Sequence, residues 1–263
     1  MFRVLVVTPQ LVEYRAIVQS FRAWKTASRR FAEDRPDGAR ECRIALDDDK
    51  TIIEFDVIKP PRVGRTEAAI AVTRYFDRSG VPDLVLVAGG AGGLGLRLGS
   101  CVIAREVLDI ATERRTGASG VEFRASTYAC DPLAVSVFQA VAIESRSEVT
   151  VGQVLSSDYV VASSQFRDSL GDAFPRVVAV EMEAGGVALA IERAATPVPM
   201  AVVRSIVDMS DENKRTDSDL HAGPSYLRLG DLIARAVRIL AGQESAVGPV
   251  SDGEQHHLPA SNA

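Results

Sequence analysis

Residues 177 to 186 read VVAVEMEAGG: an apolar strand delivers two carboxylates, Glu181 and Glu183, two positions apart and passes into small residues suited to a helix start. In a strand, residues i and i+2 share a face, so the two acids converge on one small volume, with Met182 on the other face unless the strand bends. Like charges that close are costly unless something binds them. A carboxylate accepts two adjacent O–H bonds at once, so polyol hydroxyls are a natural partner and a ribose is suggested. An exposed strand end with solvated glutamates fits the same spacing.

Two further strand ends carry related chemistry. Asp83 to Ala88 is a short apolar run that empties into Gly89-Gly90-Ala91-Gly92-Gly93-Leu94-Gly95, where backbone can approach a ligand closely. A third apolar strand, Pro199 to Val207, ends in Asp208-Met209-Ser210-Asp211. Ligands of open α/β sheets lie outside the carboxyl ends of the strands, so three such ends make one site.

The elements that must position these residues follow from the periodicity. Phe2 to Val7 reads as a strand, and Gln10 to about Trp24 as a helix with Leu11, Ala16, Ile17 and Phe21 on one face. Lys25 to Arg40, rich in Arg, Asp and Gly, reads as a mobile connection. Glu41 to Leu46 and Thr51 to Ile58 form a hairpin around Asp47-Asp48-Asp49-Lys50. Thr66 to Arg78 reads as a helix packing through Ala69, Ile70, Val72 and Phe76, and Ser100 to Val107 as a strand. Residues 111 to 128 read as a loop able to reach a neighbouring subunit. Asp131-Pro132 caps a helix running to about Arg146, and Val149 to Leu155 is a strand ending in Ser156-Ser157-Asp158-Tyr159. Gln165 to Leu170, Gly185 to Arg193 and Ser225 to Ala241 read as helices. Residues 1–242 form one domain, and 243–263, which lack periodicity, form a disordered tail.

These segments, in this order and spacing, resemble the nucleoside phosphorylase superfamily, in its methylthioadenosine/S-adenosylhomocysteine nucleosidase-like branch. The resemblance spans about residues 2 to 240 and rests on Val4 to Glu13, Ala91-Gly92-Gly93-Leu94, Val180 to Ala184, and Arg204-Ser205-Ile206-Val207-Asp208. The run Val12-Glu13-Tyr14-Arg15-Ala16 also resembles, more loosely, phosphorylase-like domains of bacterial defence and signalling proteins. The resemblance implies a three-layer α/β/α fold with a mixed, barrel-like central sheet, and cleavage of a purine N-glycosidic bond. It implies Asp208 as general acid at purine N7, Glu183 on the ribose 2′ and 3′ hydroxyls, Met182 packed on the sugar, and Glu181 holding water or ribose. Gly90, Ala91 and Gly92 line the ligand, Val160 and Val161 edge the base, and Glu13 orients or deprotonates the attacking water. Ordinary core packing is the alternative for Val160 and Val161, and a surface position in the first helix turn for Glu13. The acid must hold a proton near neutral pH, which burial against the base arranges.

Hydrolysis is favoured over phosphorolysis, the alternative. The Gly-rich loop lacks the hydroxyl that phosphorylases of the superfamily carry there, and Glu13 would repel phosphate. One segment departs from the family: Lys59-Pro60-Pro61-Arg62-Val63-Gly64-Arg65 gathers cations before a helix. Arg62 and Arg65 are thus phosphate-binding candidates, for free phosphate or a nucleotide substrate, and Lys214 and Arg215 extend that patch. A solvated basic loop is the alternative. A non-catalytic nucleoside-sensing or assembly module is the reading from a different class.

Composition agrees with one α/β enzyme domain. The chain has 263 residues, 46% hydrophobic and 25% charged, enough for one large core. No 18-residue apolar run or signal-peptide pattern occurs, which implies a cytoplasmic protein without a membrane partner. Cys42, Cys101 and Cys130 are widely spaced without nearby His, which implies reduced thiols, no metal and no cofactor. A net charge of −5 argues against nucleic acid. The expected partners are a nucleoside or nucleotide, with or without phosphate, and further copies of the chain in a homo-oligomer.

Overall fold

A computed structural model describes residues 1–24, 27–48, 51–116 and 120–244. Ten strands form one mixed sheet: β1 (Phe2–Val7), β2 (Ala27–Asp34), β3 (Arg40–Asp48), β4 (Thr51–Lys59), β5 (Leu84–Gly93), β6 (Cys101–Thr116), β7 (Gly120–Ala129), β8 (Val149–Ser156), β9 (Val177–Glu181) and β10 (Met200–Asp208). Six helices among the described residues cover it: α1 (Leu11–Arg22), α2 (Arg65–Ser79), α3 (Pro132–Glu144), α4 (Ser164–Ala173), α5 (Ala184–Glu192) and α6 (Lys214–Glu244).

The strand order is β10-β6-β8-β9-β5, and β10 pairs with β5 as well, so these five strands close on themselves. From β5 the sheet continues outward through β1, β4, β3 and β2. The fold is therefore a five-stranded barrel-like unit extended by an open sheet, as the resemblance implied. Period-two alternation loads both faces. Along β1, Val4 and Val6 join the core beneath α1, α3 and α6, while Leu5 and Val7 join the core beneath α2 and α5. Burial on both faces is why this strand reads as a nearly continuous apolar run.

Most expected elements are present, and four differ from expectation. The connection expected over 25–40 contains β2, paired antiparallel with β3; residues 25 and 26 lie outside the described residues. β2 is the last strand of the open sheet, where charged residues blunt an exposed edge and hide the alternating pattern. The loop expected over 111–128 is instead the distal part of an antiparallel β6–β7 ribbon, with 117–119 outside the described residues. Helix α2 buries Ala68, Val72 and Tyr75 and leaves Ile70 exposed, so its packing face is rotated from the one expected.

Helix α6 begins at Lys214, eleven residues before the expected start at Ser225, and carries Pro224 inside it. Proline reads as a helix boundary because it removes a backbone donor and crowds the preceding turn. Here the helix continues through it. The tail expected from 243 lies, from 245 onward, outside the described residues. No helix among the described residues is long and apolar enough to cross a membrane.

Candidate active site

Parallel pairing sets the end of β10 beside the glycines of β5, with Arg204 opposite Gly89, Ser205 opposite Gly90 and Asp208 opposite Gly92. Strand β9 runs antiparallel to β5 and brings Val180 opposite Gly92. The carboxyl ends of β5, β9 and β10 thus converge. They edge a cavity of about 190 Å³, far more than the roughly 10–15 Å³ that one water needs. Glu13, Glu181, Glu183 and Asp208 line it, with Gly90, Ala91, Gly92, Met182, Val160, Val161, Lys214 and Tyr226. Every site residue anticipated from sequence except Arg62, Arg65 and Arg215 is therefore brought to one cavity.

Arg204 organises the acids, and sequence reasoning had placed it only in a motif. Its guanidinium is fully buried and bonds the Glu181 and Glu183 carboxylates, the latter at 3.3 Å. It also donates to the Gly90 carbonyl at 3.4 Å. The repulsion expected to need a ligand is thus relieved by the protein. An Arg four positions before the acid that ends its own strand was the available signal.

Glu181 and Glu183 diverge in role. The backbone N–H groups of Glu183 and Ala184 donate to Glu181 at 3.0 and 2.9 Å, so this acid satisfies the exposed donors opening α5. Ser156 accepts the next, from Gly185, at 2.9 Å. With Arg204 bound as well, Glu181 is committed internally. Glu183 accepts from Gly64 N–H at 3.0 Å on one oxygen and from Arg204 on the other, and keeps further lone pairs for the cavity. Burial pushes the Glu183 carboxyl up to about 7 against the opposing pull of Arg204, with Glu181 and Glu13 adding to the rise.

Glu13 opens α1 in a reciprocal capping arrangement with Gln10. Its Oε2 accepts from the Gln10 N–H and its Oε1 from the Gly90 N–H, each at 2.7 Å, and Tyr226 bonds it too. Burial raises its pKa, while Arg204 and the two backbone donors lower it. Glycine is required where it approaches β5, since a Cβ on Gly89 would lie 2.6 Å from Glu13 Oε1. A Cβ on Gly92 would lie 2.8 Å from Asp208 Oδ1.

Asp208, 3% exposed, accepts from the Ser210 N–H at 2.9 Å and from the Lys214 ammonium at 2.6 Å. Lys214 therefore belongs to the cavity wall and not to a basic patch with Arg62 and Arg65. Those two arginines, the phosphate-binding candidates, do not line this cavity. Arg62 is exposed, and Arg65 is spent on Asp109 and Asp158, each at 2.5 Å. Gly186 lets α5 pack directly on the Arg65 carbonyl. Ser157 holds the following turn through Tyr159 N–H at 3.3 Å, leaving Val161 buried and Val160 61% exposed at the cavity mouth.

Residues 52–237 match the family model of the phosphorylase superfamily. A 5′-methylthioadenosine/S-adenosylhomocysteine nucleosidase of Staphylococcus epidermidis is 27% identical over 162 residues, which cover 59% of this chain and 69% of that protein. The native structure of Helicobacter pylori futalosine hydrolase superimposes with a TM-score of 0.76 at 20% identity, covering 90% of this chain and 98% of the other. A Helicobacter pylori 5′-methylthioadenosine/S-adenosylhomocysteine nucleosidase with butyl-thio-DADMe-Immucillin-A superimposes with a TM-score of 0.76 at 20% identity, covering 91% and 99%.

Proposed function

The chain belongs to the phosphorylase superfamily, and we propose that it hydrolyses the N-glycosidic bond of a purine nucleoside. The observation that carries this reading is the convergence of Asp208, Glu183 and Glu13, three buried acids from three elements, on one cavity. Cleavage passes through an oxocarbenium-like sugar, so protonating the leaving base and stabilising positive charge on the ribose both speed it. Asp208 directs a proton to N7 as the C1′–N9 electron pair moves into the base. Glu183 accepts the ribose hydroxyls, and Met182 packs on the sugar. Glu13 orients a water toward C1′ and takes its proton as the new C–O bond forms. Glu181 holds the N-terminus of α5 and Arg204, and so places Glu183.

Water suits the Glu13 side of the cavity better than phosphate. Arg204 is committed to Glu181 and Glu183, Lys214 to Asp208, and Arg65 to Asp109 and Asp158. A phosphate arriving there would meet the buried Glu13 and Glu183 carboxylates without a spare guanidinium among these residues. The relatives described as nucleosidases and as a hydrolase support the same choice. The spent Arg65 also favours a nucleoside over a nucleotide.

Incubating the protein with adenosine, methylthioadenosine, inosine, AMP and ATP, with and without phosphate, tests this by chromatography of the products. Free base and free sugar without phosphate are expected. Base release that needs phosphate and yields a sugar 1-phosphate would replace hydrolysis with phosphorolysis. Saturable binding without product from any of them would make the protein a nucleoside-binding module.

A further inference from the structure

The Asp208–Lys214 pair is not required by glycosidic cleavage as such, and its chemistry bears on which purine fits. The edge of a purine that carries N7 also carries position 6. In adenine that edge presents an acceptor at N7 and an N6 amino donor; in guanine it presents two acceptors, N7 and O6, and hypoxanthine shares that O6. A lone aspartic acid suits adenine, giving its O–H to N7 and accepting from the amino group with its other oxygen.

Here each Asp208 oxygen already holds one donor, and the donor on Oδ2 is a cation. Asp208 Oδ1 accepts the Ser210 N–H at 2.9 Å, and Oδ2 holds the Lys214 ammonium at 2.6 Å. Lys214 is donor-only, lines the cavity and keeps two further N–H bonds to give. Its side chain is 31% exposed, so it is neither sealed in the core nor a free surface lysine. Beside the acid, the wall therefore offers a second donor where adenine needs an acceptor.

We propose that Lys214 selects 6-oxopurine ribosides, of the inosine and guanosine class, over 6-aminopurine ribosides. This rests on the reading of Asp208 as the group facing N7. Lys214 donates to O6 while Asp208, after taking up a proton from solvent on one oxygen, donates that proton to N7 and returns to the carboxylate that holds Lys214. As the glycosidic bond breaks, the electron pair left on the base spreads onto O6, where a cation stabilises it. Facing adenine, the same ammonium meets the N6 amino group donor to donor.

The test measures two things on wild type, K214M and K214Q: kcat/KM for inosine and adenosine, and calorimetric affinity for hypoxanthine and adenine as free bases. Wild type is expected to favour the 6-oxo member of each pair by about tenfold or more. K214M should erase that preference. K214Q, whose amide oxygen can accept from N6, should reverse it. A wild type that prefers adenosine and adenine, binds neither base, or keeps its preference in K214M would overturn the assignment. The free-base affinities need no turnover. If no riboside is cleaved, the proposed reaction fails, and the hypoxanthine-to-adenine ratio still decides the role of Lys214.

Discussion

Among the described residues, two of the buried charge clusters invite comparison, one in the open part of the sheet and one in the barrel. In the open part, Asp56 on β4 is 0% exposed and accepts two bonds from Arg43 on β3, at 2.5 and 3.0 Å, and one from Tyr75 on α2 at 2.5 Å. Arg43 and Asp56 are direct cross-strand neighbours, so the hairpin itself makes the pair. In the barrel, Arg204 on β10 joins Glu181 and Glu183, at and just beyond the end of β9, and Glu183 lines a cavity. Both clusters hold buried acids on an arginine. Only the second leaves lone pairs directed at open space. Burial of charge alone thus does not mark a site; unspent hydrogen-bonding capacity facing a cavity does.

The sharpest way to break the comparison is to remove a group at the cavity whose loss costs turnover and little else. Asp208→Asn should lower base release by about 10²-fold or more, the scale of general acid catalysis, with melting behaviour near wild type. Unchanged turnover would remove Asp208 from the acid role. Asp56→Asn should do the opposite. Breaking a buried pair costs roughly 3–5 kcal/mol, and with Arg43 31% exposed the low end, about 3 kcal/mol, is expected in denaturant melts. Activity per folded molecule should persist; its loss would make the two clusters equivalent.

Proton linkage sharpens the contrast further. Glu183 is pushed up to about 7 in the fold, above its ordinary carboxylate value of 4.5, so the folded state binds the extra proton between those limits. Its contribution is therefore fully present at low pH and is lost as pH rises toward about 7, by up to about 3 kcal/mol. Glu183→Gln should flatten that slope. The ionised form is the one that accepts ribose hydroxyls, so KM for a riboside should fall as pH rises through about 7 in wild type only. The smallest effect is expected at Tyr226→Phe. It removes one hydrogen bond to Glu13, worth about 0.5–1.5 kcal/mol, and should slow turnover by about three- to tenfold.

The two clusters also differ in how much of them the sequence discloses. An apolar strand ending in acid or glycine is a local pattern, and Glu181, Glu183, Asp208 and the Gly89 to Gly92 run were readable that way. Arg204 was not, because an arginine inside an apolar strand has meaning only when its partners on β9 are known. The alternation that marks strands weakens at the charged edge strand β2. At α6, Pro224 marks a boundary in sequence that the packed helix overrides. Arg62 and Arg65 show the complementary limit: a cluster of cations does not reveal that acids 44 and 93 positions away hold one of them.

The early start of α6 has a mechanical consequence. Lys214, Ser218, Ala222 and Tyr226 recur every fourth residue and so fall along one stripe of the helix, with the first on Asp208 and the last on Glu13. Twelve residues of helix make a rod of about 18 Å. Asp208 and Glu13, the proposed acid and the proposed water-handling group, are thus tied to the two ends of one ruler. Sliding that rod along its axis cannot adjust one without disturbing the other.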